Sequence, residues 1–394
     1  MKFRSVIISD IHFGVMDAEE LLKELDDKFI SYLKSLDKLD LICITGDFFD
    51  HILYLNEIHA NRAYYFMDEL MVEADRLKCQ VRIVYGTESH ECNQYSIFFS
   101  KLMNNRNFKV IKTVSEEELD KGIKVLYIPE EYVYNKKDIY GKFFDKEKEY
   151  DYVFGHGVIT ELMPAGKHVL KDTKDTKRAK VPVFNTNELT YCCKGEVYFG
   201  HYHVHCELGS NVSYVGSFSR WCFGEEEKKG FIYSECDIDK EWYSHTFIEN
   251  NEAPDYVTIN YGYDNPIFSD RATMDSELAR IENITNNDLV DHVRLVMNVP
   301  DDYEGASALI NNLSERFKDS KKIKMNVTNG FVNKNRKINE EYLKESIKKY
   351  GFIRDKSMPK EEISHQFILT KFDKDIPAAR IKEHLDTKDI LSLI

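Results

Sequence analysis

Five short apolar runs, each stopping at a polar cluster, organise the first 235 residues. The runs are Val6-Ile7-Ile8, Leu41-Ile42-Cys43-Ile44, Val81-Arg82-Ile83-Val84-Tyr85, Tyr152-Val153-Phe154 and Val197-Tyr198-Phe199. They are β-branched or aromatic and too short for helices, so the pattern predicts buried strands that end in loops. Between them the apolar period changes. Residues 17–39 repeat Leu21, Leu22, Leu25, Phe29, Leu33 and Leu36 at three- to four-residue spacing, and residues 57–78 repeat Ala63, Phe66, Leu70 and Ala74. Both read as amphipathic helices, and a shorter one is expected over 96–103, with Phe98, Phe99 and Leu102 as its apolar residues. Strand–helix–strand alternation implies a layered, mostly parallel α/β arrangement, and from Gly122 onward strands dominate (123–128, 152–154, 197–199, 212–215, 230–238).

A polar, turn-rich stretch, Asn250-Asn251-Glu252-Ala253-Pro254, marks a domain break. The expected division is a first domain over 1–250, a small α+β domain over 251–330 and a charged tail over 331–394. The small domain should hold strands Tyr256–Tyr261, His292–Val299 and 321–327 with helices near 273–282 and 304–317. The tail has helix-like stretches at 339–350 and 376–393, the second rich in Ile and Leu among charges.

The polar clusters that end the five strands carry the chemistry. They are Asp10-Ile11-His12, Gly46-Asp47-Phe48-Phe49-Asp50, Ser89-His90-Glu91, Gly155-His156 and Gly200-His201-Tyr202-His203. Loops beyond strand ends in α/β sheets gather into one crevice, so these residues can converge from across the chain. Two Asp and five His brought together form an N/O donor set suited to two divalent metal ions. One such motif alone is common by chance; five in order, each after a strand-like run, are specific.

The order and residue types resemble the calcineurin-like metallophosphoesterases, whose pattern is D-x-H, G-D-x-x-D, G-N-H-E/D, G-H, G-H-x-H. Tyr214-Val215-Gly216-Ser217, Arg220 and the run Phe223-Gly224-Glu225-Glu226-Glu227-Lys228-Lys229-Gly230-Phe231 are similar to the SbcD branch, the nuclease subunits of double-strand-break repair complexes, phage recombination endonucleases included. The resemblance covers roughly residues 1–235. It implies a β-sandwich flanked by helices, a capping domain over the DNA groove and an ATPase-binding tail. It also implies two divalent ions, with Mn2+ favoured. Asp47 would bridge them, with Asp10, His12 and His203 completing the first shell and His156 and His201 serving the second. His90 matches the family's catalytic histidine, while Asp50 and Glu91 would orient a ligand or His90. Implied activities are 3′-to-5′ exonuclease on duplex ends and endonuclease on single strands, with an SbcC-type ATPase as partner. Helices near 96–103 make the dimer contact in that branch, so a homodimer is expected.

The third motif departs from the pattern. Gly86-Thr87-Glu88-Ser89-His90-Glu91 has two additional residues, and Ser89 falls where the family's metal-binding Asn precedes its His. Ser89 is therefore the expected second-ion ligand, with a water or Glu88 as substitutes. The second motif continues as Asp50-His51-Ile52, without the Arg that phosphomonoesterases of this scaffold place there to bind a terminal phosphate. A phosphatase, or a metal-poor subunit that only bridges DNA and the ATPase, is the alternative.

Composition adjusts this picture in three places. The 394 residues are 42% hydrophobic and 31% charged, an ordinary globular balance. The net charge of −14 argues against a globally basic DNA-binding protein, yet Lys167, Lys171, Lys174, Lys177, Arg178 and Lys180 form a local basic stripe suited to phosphate contacts. Eight cysteines without C-x-x-C spacing read as reduced thiols. Met1-Lys2-Phe3-Arg4 leads straight into a short strand, too short for a signal core or a membrane span, so a cytoplasmic protein without membrane partners is expected.

Overall fold

The computed structural model describes residues 1–162, 179–209, 211–261, 271–286, 290–299, 315 and 323–329. By its contacts the chain divides into two units, Met1–Thr258 with Ile284–Arg294, and Ile259–Asn283 with Leu295–Ile394.

The first unit is built on two six-stranded sheets. One contains β1 (Lys2–Ile8), β2 (Leu41–Ile44), β3 (Gln80–Val84) and β4 (Phe108–Ile111) in parallel, with β13 (Gly230–Asp237) antiparallel to β1 and β14 (Trp242–Glu249) at the edge. The other runs β11 (Cys206–Glu207), β12 (Val212–Tyr214), β10 (Cys193–Gly200), β7 (Tyr150–His156), β6 (Lys124–Ile128), β5 (Ser115–Glu118), its four central strands parallel. A short parallel pair, β8 (Val158–Ile159) and β9 (Val183–Phe184), completes the strands of this region.

The period of two sorts side chains onto three apolar clusters. Phe3 and Ile7 of β1 and Leu41 and Cys43 of β2 pack with Tyr127, Tyr152, Phe154 and Tyr198 of the other sheet. Val6, Ile8, Ile42 and Ile44 face the opposite way, onto Phe29, Phe66 and Leu70 of the helices. On the second sheet Val153, Val197 and Phe199 pack with Tyr140, Phe143 and Leu189 from helices Lys136–Phe144 and Thr186–Cys192. Both faces of the central strands are buried, which is why their sequences are continuous apolar runs. The result is the layered α/β fold expected, two sheets face to face with helices outside.

Differences from the expected elements have local causes. The segment over 17–39 is helical as Ala18–Glu24, Leu25–Ile30 and Ser31–Ser35, the middle stretch being π-helical. Asp17 caps its start by accepting from Glu19 N and Glu20 N. Helix Ile58–Leu77 stops where Lys78 turns left-handed. The expected 96–103 helix is two short turns, Tyr95–Phe98 and Leu102–Asn104, with Phe98 and Phe99 buried.

Strands β15 (Tyr256–Tyr261), β16 (His292–Val299) and β17 (Ile323–Asn329) form a three-stranded sheet in that order, and Arg271–Asn286 is a helix. The expected helix over 304–317 lies outside the described residues apart from Glu315, as do the tail over 331–394 and the basic residues Lys167, Lys171, Lys174, Lys177 and Arg178. Lys180 is described; it is exposed and pairs by backbone with Val133. All eight cysteines are free, and no helix of the described residues is long and apolar enough to cross a membrane.

Candidate metal centre

The loops after β1 and β2 continue the ladder beyond the strands. Thr45 N donates to Ile8 O, Asp10 N to Gly46 O (3.1 Å) and His12 N to Asp47 O (3.0 Å). The backbone at that pairing is unusual, with positive φ at Asp10 (49°), His12 (53°) and Asp47 (48°), and His201 beyond β10 shares the feature at 99°. Such left-handed conformations in non-glycine residues are strained and cluster at functional sites. Gly46 is required beside them, because a Cβ there would stand 2.1 Å from His156 Nδ1. Gly86 is likewise pressed on Asp47, where a Cβ would meet its backbone N and Oδ1 at 2.3 Å.

Three groups of donors result, each close enough to hold a metal ion: Asp10, His12 and His203; Asp47, His156 and His201; and His12, Asp50 and His90. His12 bears most directly on the fit. Its Nδ1 lies 3.2 Å from Asp50 Oδ1, while its buried Nε2 has no hydrogen-bond partner. That nitrogen sits 3.9 Å from Asp10 Oδ1 and 3.8 Å from Asp47 Oδ2. These gaps are too long for hydrogen bonds but suit donors that share a cation at about 2.1 Å each. A buried imidazole nitrogen facing two carboxylates across such a gap is the arrangement a metal ion completes.

The other histidines repeat the scheme. His156 Nδ1 donates to Thr45 O (2.8 Å), turning Nε2 towards Asp47 Oδ2 at 3.3 Å. His203 Nδ1 is held by Glu225 Oε1 (2.8 Å), and its Nε2 faces Asp10 Oδ1 at 4.0 Å. Fixing one ring nitrogen with a carbonyl or carboxylate sets the tautomer and aims the other at the metal. Trp221 packs edgewise on His203 and at a tilt on His12, with ring centroids 4.8 and 4.9 Å away. Asp10 accepts from Ser9 Oγ (2.5 Å) and from His201 N at 3.1 and 3.2 Å.

The charges of these groups compensate one another. Burial disfavours ionised Asp47, but the His156 imidazolium beside it, with His12 and His90, holds its carboxyl well below the usual range. Burial likewise opposes charging of His156, and the Asp47 carboxylate overcomes it, raising that pKa. Burial and the neighbouring His156 push His201 down to about 4.

His90 lies at the rim on the short helix Glu88–Glu91, one-third exposed, with Nδ1 2.5 Å from Asp50 O. Asp50 therefore meets His12 by its side chain and His90 by its carbonyl. Glu91 touches neither. Fully buried, it accepts from Phe48 N (3.3 Å), Gly86 N (3.2 Å) and Tyr95 Oη (2.8 Å), tying the β2 and β3 loops together.

Ser89 is exposed on the same helix, and Thr87 stands at the centre in its place. Thr87 N donates to Asp47 Oδ1 (2.6 Å) and its Oγ1 is 3.5 Å from His156 Nε2. The two additional residues form a helical turn after Thr87, so the position beside the donors is counted forward from Gly86 rather than back from His90. Glu130, buried just past the end of β6, was absent from the sequence-derived set; its Oε2 lies 3.6 Å from His201 Nδ1 and 3.4 Å from Thr87 Oγ1. Glu225 was noted only as part of a run, and its contact with His203 gives it a role.

No protein-family model matches the sequence, and no curated protein matches it. Among solved structures, TT1561 of Thermus thermophilus is 12% identical with a TM-score of 0.34, over 63% of this chain and 99% of that one. A second crystal structure is 14% identical with the same TM-score and coverage. Superpositions this loose carry no argument about function.

Proposed function

We propose that the protein is a metal-dependent DNA nuclease of the SbcD type, a calcineurin-like metallophosphoesterase that works with an SbcC-type ATPase in DNA end processing. The observation that carries the reading is the unpartnered His12 Nε2 between the Asp10 and Asp47 carboxylates, next to a second donor group that also contains Asp47. Two divalent ions, Mn2+ by preference, would occupy the Asp10–His12–His203 and Asp47–His156–His201 groups. When bound, such a pair neutralises phosphodiester charge and activates water.

The chain's own residues supply the rest. Asp47 presents Oδ2 to His12 on one side and His156 on the other, the place of a shared ligand. Asp50 O fixes His90 Nδ1, leaving Nε2 at the exposed rim to pass a proton to the departing oxygen. Homodimerisation fits exposed Leu55, Tyr64 and Ile97, which line a groove of about 470 Å³. The small domain over 251–330 would cap the DNA, the 331–394 tail would dock the ATPase, and the location would be the cytoplasm.

The test is a nuclease assay with Mn2+ on blunt, overhung and hairpin DNA, with and without the ATPase. Metal-dependent cleavage is expected. Hydrolysis of a phosphomonoester with no cleavage of any DNA would overturn the reading.

A further inference from the structure

We propose that Glu130, with the Thr87 hydroxyl beside it, is a direct metal ligand on the Asp47–His156–His201 side of the centre. The inference rests on the proposed metal-dependent reading and names a ligand outside its motifs.

Donor atoms there form a continuous ring. His201 Nδ1 is 3.6 Å from Glu130 Oε2, which is 3.4 Å from Thr87 Oγ1. Thr87 Oγ1 is 3.5 Å from His156 Nε2, and that nitrogen is 3.3 Å from Asp47 Oδ2. Four successive gaps near 3.5 Å are the edges expected around one cation with bonds of about 2.1 Å. A carboxylate that merely oriented His201 would sit at hydrogen-bond distance; 3.6 Å is too long for that.

Burial adds a second reason. The Glu130 side chain is only 4% exposed, and its sole ion-pair neighbour among the described residues is His201. A buried carboxylate without a cationic partner is costly, and a metal ion removes that cost. The backbone is set for the purpose: Glu130 N donates to Tyr85 O (3.0 Å), pinning the end of β6 to the end of β3. Thr87 N holds Asp47 Oδ1 and leaves Oδ2 towards the ring. With Asp47, this side then carries two carboxylates and a hydroxyl against two imidazoles. Such an oxygen-rich shell favours a hard cation such as Mn2+ over Zn2+.

The experiment uses the full chain, stripped with chelator and titrated with Mn2+ by calorimetry, with electron paramagnetic resonance to report whether two ions are spin-coupled. Native protein should bind two ions. Glu130→Gln keeps the shape and should weaken the second ion at least tenfold, with loss of the coupled signal and little change in the first ion. Glu130→Ala should weaken it at least a hundredfold, and Thr87→Ala by less than Glu130→Gln. In Zn2+ titrations the penalty for Glu130→Gln should be smaller. If Glu130→Gln binds both Mn2+ ions with native affinity and coupling, the inference is wrong, while a nuclease active in the same preparation would leave the functional reading intact. Conversely, native protein that binds two ions and loses one in Glu130→Gln, yet cuts no DNA, supports the ligand and sinks the nuclease. Should the alanine variant fail to fold, the glutamine variant decides.

Discussion

Glu91 offers a test of how the centre is held together that does not depend on what the protein cleaves. Its carboxyl is wholly buried, and burial, followed by the nearby Asp47 carboxylate, pushes its pKa from 4.5 up to about 8. In the native chain at neutral pH it is therefore protonated, with Oε1 accepting three hydrogen bonds and Oε2 unpartnered. Between pH 4.5 and 8 the unfolded chain has released this proton and the folded chain has not, so stability falls as pH rises through that window. At about 1.4 kcal/mol per unit, the loss is on the order of 5 kcal/mol. Glu91→Gln places an amide oxygen where Oε1 sits and cannot ionise. Near pH 5 it should match the native protein within about 1 kcal/mol, and near pH 9 it should exceed it by several kcal/mol. Glu91→Ala strands Phe48 N, Gly86 N and Tyr95 Oη, which at about 1–3 kcal/mol each should cost roughly 3–9 kcal/mol near pH 5, and the cost should shrink towards pH 9 as the native protein loses the stability tied to its buried proton. Urea denaturation in the presence of chelator across pH 5–9 measures all three. Parallel pH curves for native protein and Glu91→Gln would refute the buried, protonated carboxyl, and an alanine cost below about 1 kcal/mol near pH 5 would refute its role as the tie between loops.

Three further outcomes are expected. His90→Ala should lower DNA cleavage by roughly 10²–10⁴ while both metal-binding steps survive, as measured by cleavage and metal stoichiometry on one preparation; loss of an ion would make His90 a ligand. Glu225→Gln removes the charge that holds His203 Nδ1 and should weaken metal binding about 10–100-fold by titration, most strongly in the Asp10–His12–His203 group. Burial raises the Glu24 pKa to about 7 despite its bond from Asn250 Nδ2, so its contribution to stability is lost from pH 4.5 up through 7; Glu24→Gln should be more stable than native at pH 8, by up to about 3 kcal/mol, and nearly equal at pH 4.5 in denaturation curves.

The parts of the fold that could be read from the sequence are those where both faces of a strand are buried. β1, β2, β3, β7 and β10 carry the apolar runs, and each stops at the polar residues that reach the centre. β5 has the sequence Ser-Glu-Glu-Glu and carries no apolar signal at all; it is an edge strand, where charge is an asset against further pairing. β14 mixes Trp, Tyr, Ser and His because it also lies at an edge, with most positions partly exposed. The positive φ of Asp10, His12 and Asp47 had no signature either, since strain of that kind is imposed by the pairing of one loop with another.

Glu130 was hidden for a different reason. The five recognised clusters each place a Gly, Asp or His near a strand end, whereas β6 ends in Ile128-Pro129-Glu130 and matches none of them. Yet the rule that exposed the others applies to it unchanged. β1, β2 and β3 of one sheet deliver Asp10 with His12, Asp47 and Thr87; β6, β7 and β10 of the other deliver Glu130, His156 and His201. Three parallel strands from each sheet thus end at the same rim, and parallel strands carry their loops to one side by construction. Thr87 fits the same rule, as a residue counted from the strand end rather than from the histidine beyond it. The position of a residue past its strand, more than its membership in a motif, decides whether it reaches this centre.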